Sequence, residues 1–306
     1  MEPRDATAGE GGRASGLWAD AARRLRRNHL AVASAGFLLV LALLACGAAW
    51  LPGLPSPVSQ DLDLGPTPPS TAHPFGTDML GRDLLSRTLH GGRVSLAVGL
   101  LGMLVSVLIG VLYGAVAGYR GGRADELMMR FVDVLYSLPY LFLVILLLVF
   151  FSRSLLMLFV ALGAVQWLTM ARIVRGQVLS LKQQSFVEAA RALGAGDPAI
   201  VLRHLVPNTL GPVVVYATLT VPAVMLQEAF LSFLGLGVQP PAASWGTLVA
   251  DGAGVISLFP WLVAAPGAVL SLTLFSFNCL GDGLRDALDP RDAPSGSAAT
   301  RRAPPP

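Results

Sequence analysis

Charge is what this sequence has least of. Only 13% of its 306 residues are Asp, Glu, Lys or Arg, about half the share in an ordinary soluble domain. There is one lysine, Lys182, against 21 arginines. That lysine has no glycine-rich approach, so the chain carries no Gly-x-x-x-x-Gly-Lys-Ser/Thr loop for nucleotide phosphates. The two cysteines, Cys46 and Cys279, both lie in apolar runs and imply neither a disulfide framework nor a metal site. Histidines at 29, 73, 90 and 204 have no ligand spacing. With no nucleophile–base pair and no metal motif, the residues do not point to an enzyme. No metal or other cofactor is implied for the chain itself.

What is abundant is apolar length: 54% of residues are hydrophobic. A bilayer core needs ~20 apolar residues per helix, and six runs qualify: about 29–50, 94–118, 131–151, 154–171, 209–235 and 256–280. The expected fold class is an all-α polytopic membrane protein with six spans. Residues 29–50 form a first anchor, set apart by a loop at 51–93 from a five-helix core at 94–281. Six prolines between 51 and 72 predict an extended outer loop. The tails, 1–16 and 292–306, have the composition of disordered segments.

Arginine placement orients the chain. With six spans and the N-terminus inside, 18 of the 22 basic residues fall in the inner segments. The positive-inside rule then puts the basic tail 1–28, the tail 282–306 and the segment around 185–207 in the cytoplasm. The run Arg23-Arg24-Leu25-Arg26-Arg27 reads as a topology signal and a lipid-headgroup contact, not a nucleic-acid site.

The segment 185–207 is the most ordered-looking polar stretch. Phe186, Ala189, Ala190 and Leu193 recur at helical spacing and predict one apolar face of a short helix. Glu188 and Arg191 lie off that stripe. Gly194 suits a left-handed helix stop. Asp197 and Pro198 suit a helix start, Asp as cap and Pro in the first turn, with a second short helix to His204 and Pro207 just before the fifth span. Residues alone leave two readings: a hairpin that only connects spans, or a knob for a cytoplasmic partner.

Inside the spans, Gly110, Gly114 and Gly118 predict close helix packing. Asp133 is within reach of Arg130 for an interfacial ion pair. Gln227 and Glu228 fall near the outer end of the fifth span, where a gate or substrate-path role competes with easy solvation. Asn278 and the kink-forming Pro222 are weaker path candidates, and Pro139 and Pro266 can kink spans three and six. Trp50, Trp245 and Trp261 read as interfacial anchors.

Glu188-Ala189-Ala190, Gly194 and Pro207 resemble the EAA loop of ABC importer permeases in identity and spacing; His204 and Val206 depart from that family's Ile and Leu. His73-Pro74-Phe75-Gly76-Thr77-Asp78, Leu231-Ser232-Phe233-Leu234-Gly235-Leu236-Gly237 and Gly281-Asp282-Gly283-Leu284-Arg285-Asp286 are similar to segments of the peptide/nickel branch. Leu17-Trp18 and the 170–177 stretch are most similar to the C-type permease subunit of oligopeptide importers. The resemblance implies a type I importer architecture and a homologous second permease. It also implies two cytoplasmic ATPase subunits that carry ATP and Mg²⁺, and a periplasmic peptide-binding protein. The site implied is a coupling loop at 185–207 in a multi-pass inner-membrane subunit moving oligopeptides or dipeptides. Nickel, glutathione or another small solute is the alternative cargo. A secondary transporter would want ionisable groups at midplane, and a membrane scaffold would leave the polar hairpin unexplained.

Overall fold

The computed structural model describes residues 13–151 and 155–289. Regular structure among them is helical. In chain order the helices are α1 (Arg13–Arg27), α2 (His29–Gly47, closed by a 3₁₀ turn at Ala48–Trp50), α3 (Leu84–Arg120), α4 (Gly122–Ser137), α5 (Tyr140–Phe151), α6 (Leu155–Leu181) and α7 (Ser185–Ala192). There follow α8 (Asp197–Ala199), a π turn at Ile200–Leu205, α9 (Val206–Asn208), α10 (Leu210–Phe233), α11 (Trp245–Ala253) and α12 (Trp261–Leu288). The outermost tail residues and Arg153 of the fourth run lie outside what is described, as do the side chains of residues 13–18, Leu17 and Trp18 among them, and of Leu155.

Among the described residues, five stretches are long and apolar enough to cross a bilayer: His29–Trp50, Leu84–Arg120, Leu156–Leu181, Leu210–Phe233 and Trp261–Leu288. The third predicted span differs. It arrives as α4 and α5, bent by 83° around Leu138-Pro139. Pro139 cannot donate a backbone hydrogen bond and disfavours helical geometry at Leu138, whose backbone is extended. The 12 residues of α5 reach only ~18 Å, so this pair makes a sixth crossing only as a broken span.

The helices pack on α3, whose small residues admit close neighbours. A Cβ on Gly110 would sit 2.6 Å from Met170 Cβ, one on Gly118 2.9 Å from the Arg175 carbonyl, and one on Gly114 would overlap the Ala171 carbonyl. The predicted Gly110/Gly114/Gly118 stripe is therefore the α3–α6 seam. On another face of α3, Val98 and Leu96 join Val224, Val221 and Met225 of α10 in the core. The outward faces remain apolar: Leu39, Leu43, Leu108 and Leu112 are more than half exposed, as lipid contact requires.

Several expectations need correction. The 51–72 loop is not simply extended: it turns back on the segment 76–86, with Thr67 N–H donating to Thr77 Oγ1 (2.8 Å) and Ser86 Oγ to the Pro55 carbonyl (2.6 Å). The basic N-terminal stretch is helical from Arg13, against the disorder expected of residues 13–16. It lies beside the end of α12, where Arg24 reaches the Asp289 carbonyl. Helix α12 runs on to Leu288, where a tail was expected from 282. Helix α11 appears in what was read as an outer loop. Its Trp245 is fully buried, donating Nε1–H to the Thr88 carbonyl at 2.8 Å. It is a core bolt, not an interfacial anchor. Trp50 is 81% exposed, as an anchor would be.

Candidate functional site

Helix α7 starts at Ser185 and stops at a glycine turn. Gly194 has φ +84°, the Ala195 N–H donates to the Ala190 carbonyl (3.0 Å) and the Gly194 N–H to the Arg191 carbonyl (2.9 Å). This pair of bonds is a Schellman stop, which satisfies carbonyls that the helix end would orphan. The chain then re-enters helix at Asp197-Pro198. Asp197 is not the cap that the sequence suggests: Gly196 occupies that position and makes no side-chain cap. The Asp197 carboxylate instead accepts the Tyr119 hydroxyl at 2.6 Å. The second short helix is a single turn followed by a π turn, closing at Pro207 in α9.

The inward face of α7 also differs from the predicted stripe. Val187 and Ala190 are buried and Phe186 is half-buried, whereas Ala189 is exposed and Leu193 is 88% exposed. The reason is tertiary. Val187 and Ala190 pack with Ile200, Val201 and Leu205 against Val111, Ala115 and Tyr119 of α3 and Val174 and Val178 of α6. The helix presents to the protein the face that the seam needs, which is rotated from the one its own spacing suggested. Glu188, Ala189, Arg191, Leu193, Gly194, Asp197 and Pro198 are left on the open side, with His204 half-buried and Pro207 exposed.

Polar contacts tie this knob to the helix ends beneath it. The Arg191 guanidinium lies 5.6 Å from the Tyr119 ring centroid and donates to its hydroxyl at 3.4 Å. That bond and the nearby oxygens of Tyr119, Asp197 and Glu188 hold the guanidinium pKa above its ordinary value. Lys182 Nζ donates to the Gly118 carbonyl (2.7 Å), filling an acceptor that the end of α3 leaves open. Arg175 makes a two-point contact with Asp125 at 2.6 and 2.8 Å, clamping α6 to α4. Asp133 pairs with Arg172 of α6 (2.7 Å), not with Arg130 as the i, i+3 spacing suggested.

The four path candidates are not brought together. Gln227 faces α6, its Oε1 accepting from Gln166 Nε2 at 2.8 Å. It borders a cavity of about 360 Å³ beside the α4–α5 break. Glu228 points the other way. It is 1% exposed, against the solvation expected of it, and accepts the hydroxyls of Ser232 (2.9 Å) and Ser244 (2.7 Å). Ser244 is also the N-cap of α11, so Glu228 fixes where α11 begins. Asn278 is exposed and bonds to its own helix at the Leu274 carbonyl (2.8 Å). Pro222 is buried inside α10. Sequence reasoning passed over Gln166, Tyr119 and Val187. The one signal for Gln166 was its place at the head of a polar series with Thr169, Arg172 and Arg175, three residues apart, after an apolar first half of the helix.

Comparison with known proteins gives a concordant picture. The family described as binding-protein-dependent transport system inner membrane component matches residues 110–292. The N-terminal TM domain of oligopeptide transport permease C matches residues 16–69. The chain is 51% identical over 279 residues to the oligopeptide transport system permease protein OppC of Haemophilus influenzae, covering 90% of this chain and 89% of that one. It is 50% identical over 273 residues to the dipeptide transport system permease protein DppC of Bacillus subtilis, covering 89% and 85%. Among solved structures, an inward-facing MetNI methionine ABC transporter aligns with a TM-score of 0.57 at 20% identity, over 67% of this chain and 98% of that chain. That likeness speaks for the fold alone.

Proposed function

Because the chain belongs to the binding-protein-dependent transport system inner membrane components, we propose that it is the permease subunit of an ATP-driven importer of oligopeptides or dipeptides. It crosses the inner membrane several times and passes cargo from periplasm to cytoplasm by alternating access. Relatives named for oligopeptide and dipeptide transport, at 51% and 50% identity, support the cargo class. The orientation rests on the arginine asymmetry. The start of α2, the ends of α3, α6 and α12, and the 185–207 segment share the end where basic residues concentrate.

The observation that carries the coupling role is the anchored knob. Its buried side is continuous with the α3–α6 core, and its open side presents Glu188, Ala189 and the nearly bare Leu193. A partner that grips the open side moves α3 and α6 with it, because interdigitated side chains shift as a block rather than deforming. Two ATPase subunits, one on this knob and one on a homologous second permease, would supply that displacement. A periplasmic binding protein would deliver peptide at the opposite end. The chain's own task is to convert motion at the knob into a switch between two helix arrangements.

Reconstitution tests this reading. The chain should co-purify from its native membrane with two ATPases and a second permease. Glu188→Ala should weaken retention of the ATPases several-fold while leaving membrane insertion intact. Undiminished ATPase retention in that variant would remove Glu188 from the coupling surface. Purification without any ATPase would overturn the importer reading itself.

A further inference from the structure

The cavity beside the α4–α5 break sets a few uncharged polar and aromatic groups among apolar walls of Leu135, Leu138, Pro139, Val165 and Leu168. Tyr136, Ser137 and Tyr140 come from the broken helix pair, Gln166 and Thr169 from α6 and Gln227 from α10. Its volume, about 360 Å³, lies within the range of small-molecule sites, ~300–1,000 Å³. It also lies at membrane depth. Gln166 is 11 residues into α6, ~17 Å along its axis. Gln227 is six residues from the end of α10, ~9 Å. The break itself precedes the ~18 Å of α5. Leu138 and Pro139 at the break are exposed.

Lipid is an unsuitable neighbour for this place. Non-helical backbone within the hydrocarbon region survives only where it is buried in protein or lines a watery cavity, and polar side chains there face an interior or a path. The polar lining continues along one side of α6. Tyr136 Oη shares a hydrogen bond with Thr169 Oγ1 (3.1 Å). Arg172 lies 4.2 Å from the Tyr136 ring centroid and reaches Asp133. A charged pair, Arg172 and Asp133, thus lies next to the uncharged chamber, across the Tyr136 ring.

The amide pair sets the chemistry. Gln166 donates one N–H to Gln227 Oε1, which leaves the pair with a free acceptor oxygen on one residue and free N–H donors on both. Turning both carboxamides over preserves that inventory. A peptide group carries the matching set, one N–H and one C=O. The cavity walls hold no carboxylate, thiolate or imidazole, so the site is unsuited to a divalent cation such as nickel.

We infer that Gln166 and Gln227 form a main-chain recognition subsite, which pairs with a peptide group of the cargo as it passes the α4–α5 break. Recognition is of the backbone and indifferent to side chains. Tyr136 and Tyr140 supply flat walls for whatever side chain accompanies it. This assignment rests on the peptide-importer reading above.

The test uses the full complex reconstituted in liposomes with its binding protein. The cargoes are radiolabelled tetra-alanine and the same peptide N-methylated at its central amides. Gln166→Leu and Gln227→Leu should each lower tetra-alanine uptake about tenfold. They should lower uptake of the N-methylated peptide far less, so the ratio between the two cargoes collapses. An unchanged ratio, whether uptake holds or falls for both peptides alike, would overturn the subsite. Should a leucine variant fail to assemble, Gln227→Asn withdraws the amide by one methylene and is read by the same ratio. Failure of the wild-type complex to take up either peptide would instead count against the importer reading.

Discussion

The hydroxyl of Tyr119, in the last turn of α3, donates to Asp197 Oδ1 at 2.6 Å, joining residues 78 apart in sequence. Tyr119 is buried to 9% exposure while Asp197 stands on the open face of the knob. One bond therefore links the surface proposed to meet the ATPase with the helix that runs through the whole core. Arg191 reaches the same hydroxyl from α7, so both halves of the knob converge on one phenol.

Tyr119→Phe keeps the packing and removes only this junction. A single hydrogen bond to a charged, partly exposed group is worth roughly 1 kcal/mol. Amide exchange should accelerate about fivefold in residues 185–205 and stay unchanged in α10 and α12. Peptide-stimulated ATP hydrolysis should fall with it. Unaltered exchange in the knob would show that apolar packing alone holds it.

Gly194→Val should disable the turn. No neighbouring atom lies within 4 Å of a Cβ at this position, so the cost is conformational. The left-handed geometry opposes L residues by about 1–2 kcal/mol and β-branched ones further. Gly194→Asn, which tolerates that geometry, should retain most peptide uptake where the valine variant loses most of it. Equal uptake in both would show that the turn does not matter for transport.

Gly114→Leu should be among the most damaging apolar changes in the chain, because a Cβ added there would overlap the Ala171 backbone and backbone cannot step aside as a flexible side chain can. Overpacking of this kind costs about 1–3 kcal/mol or more. Gly36→Leu, on an exposed turn of α2 with nothing within 4 Å, should leave the thermal midpoint in detergent within a degree or two. A similar loss at both positions would contradict the seam.

Asp251, on α11, borders a cavity with Asp78, Arg82 and Arg87. Partial desolvation raises its pKa, with Arg87 and Arg82 pulling it back and Asp78 pushing it up. Between the ordinary Asp range and this raised value the folded protein binds more protons than the unfolded chain, so the stability contributed here is lost as pH rises through that window. Asp251→Asn cannot ionise. Its melting midpoint should match wild type at low pH and exceed it increasingly toward neutrality. A gap that narrows as pH rises would reverse the sign of the argument.

Much of the protein was decided by the chain itself. Apolar run lengths specify a membrane bundle, because backbone in hydrocarbon must satisfy its own hydrogen bonds. The glycine at 194 specifies the turn, because glycine takes positive φ without steric cost. The positions of Gly110, Gly114 and Gly118 specify the tight seam. Tertiary structure decided which side of each helix faces what. Periodicity placed Leu193 on the inner stripe of α7, yet Val187 took that role, because the groove between α3 and α6 rotates the helix to suit its own shape. Spacing offered Arg130 to Asp133, but Arg172 is nearer across the packing. Glu228 and Gln227 are adjacent in sequence and part ways, since successive helical side chains point about 100° apart: one fastens the start of α11, the other meets Gln166 at the cavity. Those encounters depend on where three helices come to rest against one another, which local sequence does not encode.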